Sequence, residues 1–132
     1  MLDEVLDSQE AMICAAEDGV LDVAVLKMGC TGGLSQHRHL VEIGLRLGIP
    51  MRIEDFYGTG LTLAAVCHLT QGVPAAANFG LYDYHLPDIP LARNPFPVTG
   101  GRVQVPTACG PGLGIDINED VLGDPLETWE SK

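Results

Sequence analysis

Lysine is nearly absent from this chain. Only Lys27 and the terminal Lys132 occur in 132 residues, and Lys plus Arg total 7 against 18 acids, for a net charge of −11. Positive charge this scarce cannot build a surface that tracks phosphates, so nucleic acid is excluded as an expected partner. An anionic membrane face is excluded for the same reason. No run of about 18 apolar residues is present, so no membrane span is expected. The four cysteines, Cys14, Cys30, Cys67 and Cys109, form no C-x-x-C pair. Their scatter, without a secretory leader, reads as reduced thiols in a cytoplasmic protein. Low-complexity tracts and solenoid repeats are missing. So are the Walker loop and the G-x-G-x-x-G fingerprint. Among the histidines only His37 and His39 lie close together, which gives no zinc-ligand spacing. His37, His39 and His68 read as helix-surface residues.

What is present is a core. Hydrophobic residues make up 46% of the chain, enough for one folded domain. Asp7 or Ser8 can cap a helix over "SQEAMICAAEDG", with Gly19 at its exit. "VAVLK" is short, apolar and β-branched, the pattern of a buried strand. After the glycines, "LSQHRHLVEIGLRLG" predicts a helix, with Leu34, Val41 and Leu45 on its face and Gly48 at its stop. "IPMRIED" predicts a second strand, "LTLAAVCHLTQ" a second helix after the Gly58-Thr59-Gly60 turn, and "ANFGLYDY" a third strand. Residues 86–132 are rich in proline and glycine, with only short strand-like runs. Alternating strands and helices of this length predict parallel βαβ units.

Each predicted strand ends in ionisable groups: Lys27, then Glu54 and Asp55, then Asp83. In parallel α/β folds ligands bind at the carboxyl ends of strands. One polar strand end is ordinary loop chemistry; three in succession suggest a site. Lys27 leaves an apolar strand, and desolvation there lowers a lysine pKa and frees an amine to act as a base. The plainer alternative is a lysine with its head in water. The glycines of "GCTGG" precede a helix and could offer amides to an anion, or simply form a tight turn. Glu54 and Asp55, adjacent on a strand, point to opposite faces, so only one of them can look into a given site. The other acid can cap the following helix. Asp3 and Glu4, in "MLDEV", have the same strand-end look, and Asp3 would suit a hard cation.

Three segments in order, "VLKMGCTGGLSQ", "IPMRIEDFYGTGLTLAAVCHL" and "GPGLGIDINEDVL", resemble the C-terminal part of the enolase superfamily, in its mandelate racemase and muconate lactonizing branch. The "IED…G…AA…HL" run looks most like the cis-3-hydroxyproline dehydratase group of that branch. The resemblance implies the C-terminal portion of a (β/α)8 TIM-type barrel, about strands five to eight, over residues 1–85. A capping segment of the same domain would follow over 86–132. It implies Mg²⁺ held by three carboxylates, of which this chain supplies Asp3, and a small amino- or hydroxy-acid carboxylate as substrate. It places Lys27 as the acid/base residue, with Glu54, Asp55 and Asp83 as substrate or proton-relay groups and Cys30 and Tyr82 near the substrate. The reaction would begin with removal of the proton next to the substrate carboxylate and lead to dehydration or to racemisation or epimerisation.

A whole barrel takes about 250 residues. This chain lacks the capping domain, the strand-two lysine pair and two of the metal ligands. Alone it is expected to be inactive, and one carboxylate cannot build a tight Mg²⁺ site. A partial barrel leaves sheet edges and apolar surface open, so a homo-oligomer is expected. The rival readings are a non-catalytic α/β module for oligomerisation or binding, and a glycine-loop phosphate binder.

Overall fold

The computed structural model describes residues 1–56, 58–81, 90–106 and 110–130. Its centre is a parallel sheet of β1 (Ala24–Lys27), β2 (Met51–Glu54) and β3 (Asn78–Leu81), in that order. A single parallel bridge, Leu2 to Ala24, adds the N-terminal stub outside β1. It is closed by Leu2 N donating to Val23 O at 3.1 Å and Val25 N donating to Leu2 O at 2.9 Å. Four successive parallel segments therefore lie side by side in chain order. The fold is α/β with a parallel sheet, as the alternation of elements predicts.

Helix α1 (Gln9–Glu17) is capped by Ser8, whose hydroxyl accepts from Ala11 N at 3.2 Å. Between β1 and β2 lie a one-turn helix α2 (Met28–Thr31) and the long α3 (Leu34–Leu47). The short α2 is not foreshadowed by the sequence. Its four residues include a glycine and are too few to show a helical period. Gly32 and Gly33, at φ 84° and 103°, make the break between the two helices that a side chain would resist. Helix α4 (Gly60–Gln71) begins at a capping box formed by Thr59 and Thr62. Asp55, the acid that could have capped it, has another partner.

The sheet sorts its residues by face. Ala24 pairs with Met51 and Leu26 with Ile53. All four lie in the main core with Leu6, Met12, Leu40, Val41 and Val66, beneath the helices. The alternate pairs, Val25 with Arg52 and Lys27 with Glu54, point the other way. One face is thus pure hydrocarbon, and the other carries charge at its carboxyl end. A second cluster, Leu63, Ala64, Cys67 and Phe96, packs α4 against the C-terminal segment. His68 Nε2 lies 3.0 Å from Leu113 O in the same contact. That segment holds the small antiparallel pair β4 (Val98–Thr99) and β5 (Arg102–Val103).

His37 departs from expectation. It is fully buried, not on the helix surface. The face of α3 that meets the sheet is His37, Leu40, Val41 and Gly44, and its i, i+3, i+4, i+7 spacing includes the histidine. His39 is exposed and His68 half-buried, closer to the surface reading. Among the described residues no helix is long and apolar enough to cross a membrane.

Ile53 sits at the centre of the hydrocarbon face, 1% exposed. Ile53→Val should lower unfolding stability by about 1 kcal/mol, read as a lower urea midpoint with an unchanged slope.

Candidate functional site

The carboxyl ends of the N-terminal stub, β1 and β2 meet at Lys27. Its Nζ lies 2.5 Å from Glu4 Oε1, 2.7 Å from Asp3 Oδ1 and 3.8 Å from Glu54 Oε1. The Phe56 ring centroid is 4.8 Å away, within cation–π reach. Lys27 is 7% exposed and Glu54 4% exposed. Glu54 Oε2 in turn lies 2.7 Å from Arg52 Nε. The contacts to Asp3 and from Arg52 are close but miss hydrogen-bond angles, so charge attraction carries them.

This geometry reverses one expectation about Lys27. Burial does act to depress its pKa, as the sequence suggests. The contacts and charges of Asp3 and Glu4 outweigh that and hold it above the ordinary lysine range. The same contact holds the exposed Glu4 carboxyl below its usual value. Burial pushes the Glu54 carboxyl up, while Arg52 and Lys27 pull against it. At neutral pH the centre is therefore an ammonium among carboxylates, not a free amine. Asp3 and Glu4 have a strand-end look in the sequence, but their approach to Lys27, made by the Leu2 bridge, is not visible there.

Glu54 and Asp55 part as their alternation requires. Glu54 faces Lys27. Asp55 Oδ1 accepts from Gly29 N at 3.0 Å and from Phe56 N at 2.8 Å, tying the end of β2 to the turn after β1. A Cβ on Gly29 would lie 2.8 Å from that carboxylate oxygen, which is why a glycine stands there. Asp55 is thus a clamp on the Lys27 turn. The anion-cradle reading of "GCTGG" loses ground here. The Gly29 amide is taken by Asp55, and the Gly32 and Gly33 amides both go to Met28 O. Cys30 is half-buried on α2, and burial raises its thiol pKa. Tyr82 and Asp83 lie outside the described residues.

Three neighbours escape the sequence reading. Arg52 shares a face with Glu54, two residues away, and that spacing could have flagged it. Phe56 offered no signal. His37 pairs through Nδ1 with Thr31 Oγ1 at 3.1 Å. Its pKa falls to about 4, because burial penalises the imidazolium more than the charge of Asp55 favours it.

For a divalent cation, the donors among the described residues do not suffice. Among the described residues no group of three His, Cys, Asp or Glu side chains could hold a metal. Asp3, the carboxylate that the resemblance offers, is already paired in charge with an ammonium at 2.7 Å.

A parallel α/β sheet with a buried lysine and acids gathered at its strand ends describes a class of α/β proteins with a strand-end site. Within that class the chain can be placed more narrowly. Residues 1–121 match the Enolase C-terminal domain-like family. The chain belongs to that family, whose domain is a TIM-barrel-type α/β fold. It is 32% identical over 130 residues to cis-3-hydroxy-L-proline dehydratase of Roseibium aggregatum, covering 98% of this chain and 35% of that one. It is 32% identical over 135 residues to muconate cycloisomerase 1 of Rhodococcus opacus, covering 98% and 33%. A solved enolase-superfamily member from Roseovarius nubinhibens, complexed with magnesium, superposes with a TM-score of 0.90 at 29% identity, over 99% of this chain and 36% of that one. The chain thus spans about a third of the length of the relatives it matches.

Two outcomes follow. Lys27→Met removes the cation that ties the N-terminal stub to the sheet. The Leu2 and Val25 amides should then exchange with solvent about tenfold faster, the equivalent of about 1.4 kcal/mol of local stability, while α4 amides keep their protection. The second concerns His37, whose folded pKa lies below its unfolded value of about 6.5. Its neutral form favours folding above pH 6.5, and that contribution is lost as pH falls to about 4. Across this window the native chain should lose stability relative to His37→Asn, by about 3 kcal/mol at most, measured by urea unfolding at a series of pH values.

Proposed function

We propose that this chain is the C-terminal portion of the catalytic barrel of an enolase-superfamily enzyme. The Leu2 stub, β1, β2 and β3 would be barrel strands five to eight, with residues 86–132 capping the same domain. The enzyme would remove the proton next to the carboxylate of a small amino or hydroxy acid, leading to dehydration or to racemisation or epimerisation. One observation carries the reading. Lys27, which the resemblance would make the acid/base residue, is buried at a strand end, beside carboxylates from both neighbouring parallel segments. The dehydratase, cycloisomerase and racemase activities of the relatives support the reaction class.

Lys27 has a defined starting state in this arrangement. It enters protonated, so it can donate a proton to a developing carbanion or pair with the substrate carboxylate. It becomes a base only once Asp3 and Glu4 are drawn away from it. Glu54, desolvated and facing Lys27, is placed to hold that ammonium or relay its proton. Asp55 acts on the turn, and Cys30 would lie near the substrate, as would Tyr82 and Asp83, which fall outside the described residues. Relatives solved with magnesium support a Mg²⁺ requirement for the whole enzyme. The present donors do not complete such a site, and no step is assigned to it.

The partial sheet also supports self-association. Phe79 on the outer strand β3, and Met1 and Val5 beside the stub, are more than half exposed. Light scattering of the 132-residue chain at micromolar concentration should give a dimer mass or larger; a single-chain mass would refute this.

The chemistry is tested by proton exchange. The 132 residues alone should exchange no α-proton of cis-3-hydroxy-L-proline in deuterated water. An enzyme completed with the N-terminal two-thirds of a relative should exchange it, and Lys27→Ala should reduce that rate at least about a thousandfold. Exchange retained in Lys27→Ala would move the base elsewhere.

A further inference from the structure

His37 is fully buried on α3, and the acid/base reading of Lys27 does not use it. Its contacts fix its protonation pattern. Thr31 Oγ1 donates its single hydrogen to Met28 O at 3.1 Å. The same oxygen lies 3.1 Å from His37 Nδ1. With its hydrogen committed, the hydroxyl can only accept, so His37 Nδ1 carries the proton and Nε2 is the lone pair. Nε2 is buried and has no hydrogen-bond partner among the described residues. A buried orphan acceptor is unfavourable, so packing alone gives no reason for a histidine here; leucine would fill the space without it. What a histidine adds is the Nδ1–H bond to Thr31.

Thr31 ends the one-turn helix that starts directly after Lys27, and Lys27 is that helix's N-cap. Met28 O collects the Thr31 hydroxyl together with the Gly32 and Gly33 amides, the latter at 3.4 Å. On the opposite side Asp55 holds Gly29 N at 3.0 Å. The turn is therefore gripped from β2 by Asp55 and from α3 by the chain His37, Thr31, Met28. A segment of only four residues, followed at once by two positive-φ glycines, has little stability of its own, so its shape depends on these two grips.

We infer that His37 is a positioning residue: its Nδ1–H, through the Thr31 hydroxyl, fixes the turn that sets the place of Lys27 and Cys30. Any consequence for turnover rests on the reading of Lys27 as the acid/base group. The positioning itself can be measured on the chain without substrate, so failure of the catalytic reading leaves it standing.

The test uses residue-resolved labelling of the intact chain: iodoacetamide on the cysteines and reductive methylation on Lys27, both read by peptide mass spectrometry. Cys67, buried in the second core, reports global opening. His37→Leu should label at least about tenfold faster at Cys30 and at Lys27, with Cys67 still protected. His37→Asn, whose amide N–H takes the place of Nδ1–H, should restore native rates at both. His37→Gln, whose N–H falls at the Nε2 position, should behave like the leucine variant. If His37→Leu does not fold, the Asn and Gln pair decides alone. Native rates at Cys30 and Lys27 in a folded His37→Leu or His37→Gln chain would overturn the inference. So would an asparagine variant that labels as fast as the glutamine one.

Discussion

The ion pairing of one lysine organises the charged side of this molecule. Lys27 is almost wholly removed from water, and an unpaired ammonium there would be strongly unfavourable. Asp3 and Glu4 meet it from the stub and Glu54 from β2, at 2.7, 2.5 and 3.8 Å. Removing the partners would leave a buried charge, and removing the lysine would leave carboxylates facing one another. The N-terminal stub has a single backbone bridge to the sheet, so its docking depends on this contact as much as on hydrogen bonding. The hydrocarbon face holds the helices to the sheet, and the Lys27 centre holds the sheet's charged side together.

On the proposed reading, the same centre also sets the protonation state from which Lys27 would act. A lysine clasped by carboxylates is an acid, and it gives up that role only when something else satisfies those carboxylates. In a longer enzyme a cation and a substrate could compete for Asp3 and Glu4. In these 132 residues the ammonium itself satisfies them.

Much of the fold was legible in the sequence because its signals are local. The helix start at Asp7 or Ser8, the apolar run ending at Lys27 and the glycines that end helices each announce themselves within a few residues; the face of α3 does not, since of Leu34, Val41 and Leu45 only Val41 is buried. The approach of Lys27, Glu54 and Asp55 to one place follows from parallel strands ending on one side. What was not legible depends on contacts made at a distance. The Lys27 pKa was expected to fall because its own strand is apolar, but acids 23 and 24 residues earlier in the chain reverse the sign. Asp55 was expected to cap α4 or to enter the site; it reaches back to Gly29 instead. His37 carries the polarity of a surface residue at a core position of its helix, and only the depth of α3 on the sheet decides between the two. Tyr82 and Asp83 lie outside the described residues.

The central claim is that Lys27 is held as an ammonium by Asp3 and Glu4 at a strand-end site. NMR titration of the Lys27 side chain tests it most directly, since the other lysine is the terminal residue and the two signals separate readily. The account predicts a Lys27 pKa above that of Lys132, falling back when Asp3 and Glu4 are both changed to their amides. A Lys27 pKa below that of Lys132 in the native chain would contradict it.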